Sequence, residues 1–225
     1  MNLNADFTKR ALVHSSDEPW VASPMAGVDR RMLDRVGDEV ARATTIVRYA
    51  PGSAFSSHVH TGGEEFLVLD GVFQDEHGDF PSGSYIRNPP ESFHTPGSES
   101  GCTILVKLWQ FDMADRTHVR VDTGKMRFLF QGEGVEVMPL FADGREDVVL
   151  ERWAPGTEVQ LAGHDGVEIF VLDGGFAEGG DTLKVESWLR LPKGHSTTAV
   201  AGSEGAKLWI KRNHLAETPT APSAA

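Results

Sequence analysis

The chain has 225 residues, 40% of them hydrophobic, enough for one large globular domain or two small ones. A net charge of −12 and a pI near 5.1 repel phosphate backbones and anionic lipid headgroups, so neither nucleic acid nor a membrane is an expected partner. No apolar run approaches the ~20 residues of a membrane span, the N-terminus lacks a signal peptide's apolar stretch, and the single Cys102 excludes an internal disulfide, so a cytoplasmic location is expected.

With 24 glycines and 12 prolines the segments between turns are short, which favours strands over long helices. Residues 29–42, DRRMLDRVGDEVAR, fit either a helical spacing or a charged strand pair. Residues 44–50, TTIVRYA, are β-branched and aromatic and stop at Pro51-Gly52, as a strand would. His58 and His60 follow, then a Thr61-Gly62-Gly63 turn. EFLVLDG, residues 65–71, reads as a strand closed by an Asp70-Gly71 hairpin turn. GSYIRNPP, residues 83–90, stops at a double proline, and CTILVKLWQF, residues 102–111, suits a central strand that buries Cys102 as a small hydrophobe. Many short strands at this spacing predict an all-β sandwich or barrel. Residues 215–225 are small and apolar-poor and read as a disordered tail.

The chain also repeats itself. TIVRYAPGSAF (45–55) returns as VLERWAPGTEV (149–159), GEEFLVLDGVF (63–73) as GVEIFVLDGGF (166–176), and GSYIRNPPESFH (83–94) as ESWLRLPKGH (186–195). The offset stays at 103 or 104 residues until a short deletion before His195. So long a period implies two duplicated domains rather than a solenoid, with bounds expected at 1–120 and 121–214.

On a strand, residues i and i+2 share a face, so His58 and His60 project together. Glu64 opens the returning strand and shares its face with Phe66 and Val68, while Glu65 takes the other. His94 follows on a later strand. Three imidazoles and a carboxylate inside a barrel suit a borderline divalent metal and leave one or two coordination positions open. Spacing alone also fits a polar rim at a strand end.

The motifs resemble those of the cupin superfamily. Gly52, His58, His60, Glu64 and Gly71 match G-x5-H-x-H-x3,4-E-x6-G at every spacing. Gly83, Pro89 and His94 match G-x5-P-x-G-x2-H-x3-N, with Glu91 in place of its glycine and Ser98 in place of its asparagine. The resemblance implies a bicupin of two tandem double-stranded β-helix (jelly-roll) barrels, with metal on His58, His60, Glu64 and His94. It favours Glu64 over Glu65, since only Glu64 leaves six residues before Gly71. Residues 60–96 are similar to the cupin domain of ChrR-type anti-sigma factors. Those proteins also carry an N-terminal helical zinc domain that clamps the sigma factor. Here about 15 residues precede the cupin lead-in and there is no cysteine pair, so sigma-factor binding is not expected.

The second copy is degraded. Counting from Gly156 puts Ala162 and His164 at the histidine positions, whereas counting back from Asp173-Gly174 gives Leu161 and Gly163. Glu168 follows His164 at the spacing of His60 and Glu64, and His195 answers to His94. Loss of one ligand in four weakens a metal site severely, so this copy is read as a structural partner, with His164, Glu168 and His195 as the fallback second site.

Phe55, Phe66, Phe73, Tyr85 and Ile86 are expected to line the cavity of the first copy. Trp109, Trp153, Trp188 and Trp209 are placed in strands, Arg48 and Arg152 against carboxylates, and His14, His77, His118 and His214 at the surface. No separate nucleophile or acid–base set is visible, so the metal must carry any chemistry. Imidazole suits Zn, Fe, Mn and Ni alike, with Zn or Fe expected first. Two functions fit: a ChrR-like metal-binding module that senses a small molecule or oxidative stress, or an Fe(II)-dependent dioxygenase acting on a small carbonyl or phenolic compound. A small-molecule ligand and a homodimer complete the expectations.

Overall fold

The computed structural model describes residues 1–38 and 40–222. Among them the regular structure is β throughout, apart from single 3-10 turns at Ser15–Asp17 and Thr123–Lys125. No helix among them is long and apolar enough to cross a membrane. Contacts divide the chain into two compact units. The first is built around Met1–Ala5 and Pro19–Lys125, the second around Asp6–Glu18 and Met126–Pro219.

In the first unit the main sheet runs Asn2–Leu3, Val28–Gly37, Ala41–Tyr49, Cys102–Leu108, Glu64–Asp75, Ser84–Asn88, Val119–Asp122. Every pairing along that path is antiparallel. Residues 29–37 and 41–42 therefore belong to a charged strand pair and not to a helix. One face of these strands closes over a core of Val47, Phe66, Val68, Phe73, Ile86, Ile104 and Val106. The other face is buried too, through Ile46, Leu67, Tyr85 and Leu105. Burial on both faces explains why EFLVL and CTILV read as continuous apolar runs rather than as alternation.

Asp70-Gly71 does not form the expected hairpin turn. Glu64–Asp75 is one continuous 12-residue strand, and the reversal comes at residues 76–77, ahead of the strand Gly78–Pro81. Gly71 instead takes φ +70°, and a Cβ there would lie 2.1 Å from the Gly101 carbonyl oxygen. It marks a bulge, with the register to Cys102–Leu108 shifting between Thr103 and Ile104. A glycine bulge bends a strand without ending it. The strand thus begins at the candidate site with Glu64 and returns to it with Asp75.

The second unit repeats the plan in the order Leu129–Gly132, Val135–Ala142, Asp147–Trp153, Ser196–Arg212, Val167–Glu178, Ser187–Leu191, Ala11–His14. Its core holds Val167, Ile169, Val171, Phe176, Leu189 and Leu208. Its last strand comes from the start of the chain. Ala11–His14 pairs with Ser187–Leu191, and Arg10 bridges the buried Glu178 at 2.9 Å. Sequence periodicity carried no sign of this, because four residues are too few to show a period. Leu215, placed in the tail, is buried, and its amide donates to the Asp165 carbonyl. Residues 223–225 of that tail lie outside the described residues.

Candidate metal centre

The site is assembled where a two-stranded ribbon meets the start of the strand Glu64–Asp75. His58–Val59 pairs with Phe93–His94, placing His58 directly opposite His94. The His60 amide donates to the Ser92 carbonyl and the Glu91 amide to the His60 carbonyl, which extends the ribbon past its formal end. Glu91, standing where the cupin pattern has glycine, has φ +70°, a left-handed conformation that glycine adopts without steric cost. The turn after His60 is glycine for lack of room. A Cβ on Gly62 would fall 1.9 Å from a ring carbon of Trp109. Trp109 itself lies beyond the end of its strand, at φ +59°, and not within it as expected.

These constraints bring three imidazoles together. Ring centroids lie 5.1 Å apart for His58 and His60, 4.9 Å for His58 and His94, and 4.5 Å for His60 and His94. One nitrogen from each ring falls within 4.8 Å of the others. The Nε2 atoms of His60 and His94 are 3.2 Å apart. Glu64 Oε2 is 3.3 Å from His60 Nε2 and 3.7 Å from His94 Nε2, and Asn88 Nδ2 donates to it at 3.3 Å. His60, Glu64 and His94 are 6%, 8% and 2% exposed, while His58 faces solvent. Phe73 packs against His94, with ring centroids 5.7 Å apart.

Burial pushes the His60 imidazole down to about 4, against the pull of the neighbouring Glu64 charge. Burial also lowers His94, but its hydrogen bond to Asp75 and the charges of Glu64 and Asp75 outweigh that and leave it raised. Desolvation would lift Asp75, yet the His94 hydrogen bond and the His77 amide hold it below its usual value. Three imidazoles with a carboxylate at their edge are a donor set for a borderline divalent metal, and the residues fit one. Among the described residues His58, His60 and His94 form the only such group.

Glu65, one residue on, belongs elsewhere. It is 1% exposed, accepts the Tyr85 hydroxyl at 2.6 Å and faces Arg87 at 3.6 Å. Tyr85 is therefore on the face opposite the core and does not join the apolar lining, whereas Phe55, Phe66, Phe73 and Ile86 share one cluster. Strand parity allows nothing else, since Tyr85 and Ile86 are neighbours.

The same parity overturns the fallback site in the second copy. Glu168 pairs across to Arg190 and Lys211, as Glu65 does to Arg87 and Lys107. It accepts Trp188 Nε1 at 2.6 Å, where Glu65 accepts Tyr85. Glu168 is thus the counterpart of Glu65, and the position of Glu64 is held by Val167, a core residue. Ala162 pairs with Ser196 as His58 pairs with His94, so His195 is also one residue out of register. His164 faces solvent beside Asp165. His214, expected at the surface, has a buried side chain whose Nε2 lies 3.0 Å from Glu168 Oε2. Arg48 does meet a carboxylate, Asp29 at 2.7 Å, but Arg152 stacks over the Phe128 ring at 4.0 Å.

The family model for the ChrR cupin-like domain matches the chain twice, at residues 8–112 and 116–216. An acetylacetone-cleaving enzyme of Acinetobacter johnsonii is 29% identical over 114 residues, covering 49% of this chain and 74% of that one. Among solved structures, a candidate dioxygenase from Nostoc punctiforme superposes with a TM-score of 0.72 at 16% identity, over 100% of this chain and 86% of its own. A pirin from Escherichia coli solved with nickel(II) gives 0.64 at 16% identity over 91% and 99%. Oxalate decarboxylase of Bacillus subtilis gives 0.63 at 12% over 90% and 77%. At these identities the structures speak for the bicupin fold alone.

Proposed function

We infer the function from one premise: the chain belongs to the ChrR cupin-like domain family, and its first unit carries that fold's metal-ligand set in convergent form. We propose a metal-dependent dioxygenase that cleaves a small carbonyl compound of the β-dicarbonyl class. The observation that carries the proposal is the meeting of His58, His60 and His94 beside Glu64, against an apolar wall that includes Phe73. Kinship with an acetylacetone-cleaving enzyme supports the substrate class. When bound, iron would supply Lewis acidity towards the carbonyl oxygens and the redox partner for dioxygen.

The chain's own residues do the rest. His58, His60 and His94 would hold the metal as neutral imidazoles, and Glu64 would offset its charge. Asn88 holds the Glu64 carboxylate in place. The exposed His58 edge leaves a way in for substrate, and Phe66 and Phe73 exclude water from the inner side.

The test is oxygen uptake by protein loaded anaerobically with Fe(II), over a panel of β-dicarbonyls and catechols. One O₂ consumed per substrate lost, with iron and not with zinc, and none in His60→Ala, is the expected result. Iron-loaded protein that binds these compounds and consumes no oxygen would overturn it. That outcome would favour the second reading, a ligand-sensing module, which rests on the family's tie to ChrR.

A further inference from the structure

The inference here rests on the metal-centre reading and concerns residues outside the ligand set. An imidazole carries one proton on either of two nitrogens, and it can ligate only through the bare one. Which nitrogen is bare is decided by what the other one meets.

At His60, Nδ1 lies 3.0 Å from Ser92 Oγ. That hydroxyl has a single proton, and it is aimed at the Pro89 carbonyl oxygen 2.6 Å away. A carbonyl can only accept, so Ser92 donates to Pro89 and has only lone pairs for His60. Nδ1 of His60 must therefore be the protonated nitrogen, and Nε2 is the bare one. At His94, Nδ1 lies 3.3 Å from Asp75 Oδ2. The Asp75 side chain is buried, and its other oxygen accepts the His77 amide at 2.7 Å, which fixes the carboxylate's orientation. Oδ2 is thereby aimed at the ring as an acceptor, so Nδ1 of His94 is the nitrogen that carries the proton. The two Nε2 atoms, 3.2 Å apart and both near Glu64, are left to face the site.

We propose that Asp75 and Ser92 are positioning residues of the metal centre, locking His94 and His60 in the tautomer and ring orientation that present Nε2 to a divalent cation. The chain topology makes this economical. Asp75 ends the strand that Glu64 begins, and Ser92 lies on the loop between Pro89 and His94. The strand that carries Glu64 thus also carries Asp75, and the loop that leads to His94 also carries Ser92.

The experiment measures Zn(II) affinity by competition with a chelating dye, together with imidazole ¹⁵N shifts, in Asp75→Leu, Asp75→Asn, Ser92→Ala and Ser92→Thr. Asp75→Leu and Ser92→Ala should each weaken zinc roughly 10–100-fold. Asp75→Asn and Ser92→Thr, which keep an acceptor oxygen, should recover most of that loss. The ¹⁵N shifts of metal-free protein at about pH 9, where free imidazoles are neutral, should show Nδ1–H at His60 and His94 in the wild type and a mixture of tautomers in the two acceptor-free variants. Unchanged affinity in folded Asp75→Leu and Ser92→Ala would overturn the proposal, as would equal losses in the conservative variants. A wild type that binds no zinc would overturn the metal-centre reading instead, and the tautomer populations would still decide whether these hydrogen bonds exist.

Discussion

Glu64 and Glu65 are adjacent, chemically identical and buried, yet the structure gives them opposite consequences. Glu65→Gln keeps an oxygen for the Tyr85 hydroxyl but loses the charge that faces Arg87. Both side chains of that pair are at most 2% exposed, where breaking a charge pair costs about 3–5 kcal/mol. Arg87 keeps Asp115 at 3.2 Å, so it is not stranded, and about 2 kcal/mol is the reasonable figure. For a unit of this size that lowers the unfolding midpoint by roughly 10 °C. Metal affinity should stay at the wild-type value, because the Glu65 side chain leaves the strand on the far face. Glu64→Gln should do the reverse. It should barely move the midpoint of the metal-free protein and should weaken metal binding roughly tenfold or more, the amide oxygen remaining as a poorer donor. Thermal unfolding and zinc titration of the two variants, side by side, decide the matter. If Glu65→Gln loses metal while Glu64→Gln keeps it, the register of this strand and the inward face assigned to Phe66 and Val68 are wrong.

Three further outcomes follow from the geometry. Gly62→Ala should displace the turn after His60, since its Cβ meets the Trp109 ring, and zinc titration should show the affinity falling with the rest of the fold retained; wild-type affinity would contradict this. Phe7→Ala should cost about 3–5 kcal/mol in denaturant unfolding, because Phe7 is buried with the Arg190 guanidinium 3.9 Å from its ring, and should leave zinc bound; loss of zinc would show that the N-terminal segment serves the first unit. Zinc must displace the proton that His94 holds above the usual histidine range, so affinity should fall as pH drops through neutrality. Titration calorimetry in buffers of different ionisation enthalpy should then show proton release near pH 7, and none would refute the raised His94.

Much of the site was legible because its ligands lie at local spacings. His58 and His60 are two apart, Glu64 follows a glycine turn, and Gly71 closes the pattern. The duplication was legible for the same reason, as a constant offset. Groups held by long-range contact were not. Asp75 reaches His94 across nineteen residues of sequence, and Ser92 acts on His60 from thirty-two residues away, with no local pattern marking either. The second copy misled through parity. His164 to Glu168 preserves a count of four, but the strand after it starts one residue out of step, which turns Glu168 to the outer face and puts Val167 inward. Asp70-Gly71 misled because the dipeptide that makes a hairpin turn also makes a glycine bulge, and only the partner strand tells them apart.

The geometry predicts one metal centre per chain, in the first unit. Native mass spectrometry of the zinc-loaded protein should give one ion per chain in the wild type, one in a His164→Ala, His195→Ala double variant, and none in His60→Ala. Two ions per chain, or loss of the ion in the double variant, would contradict it.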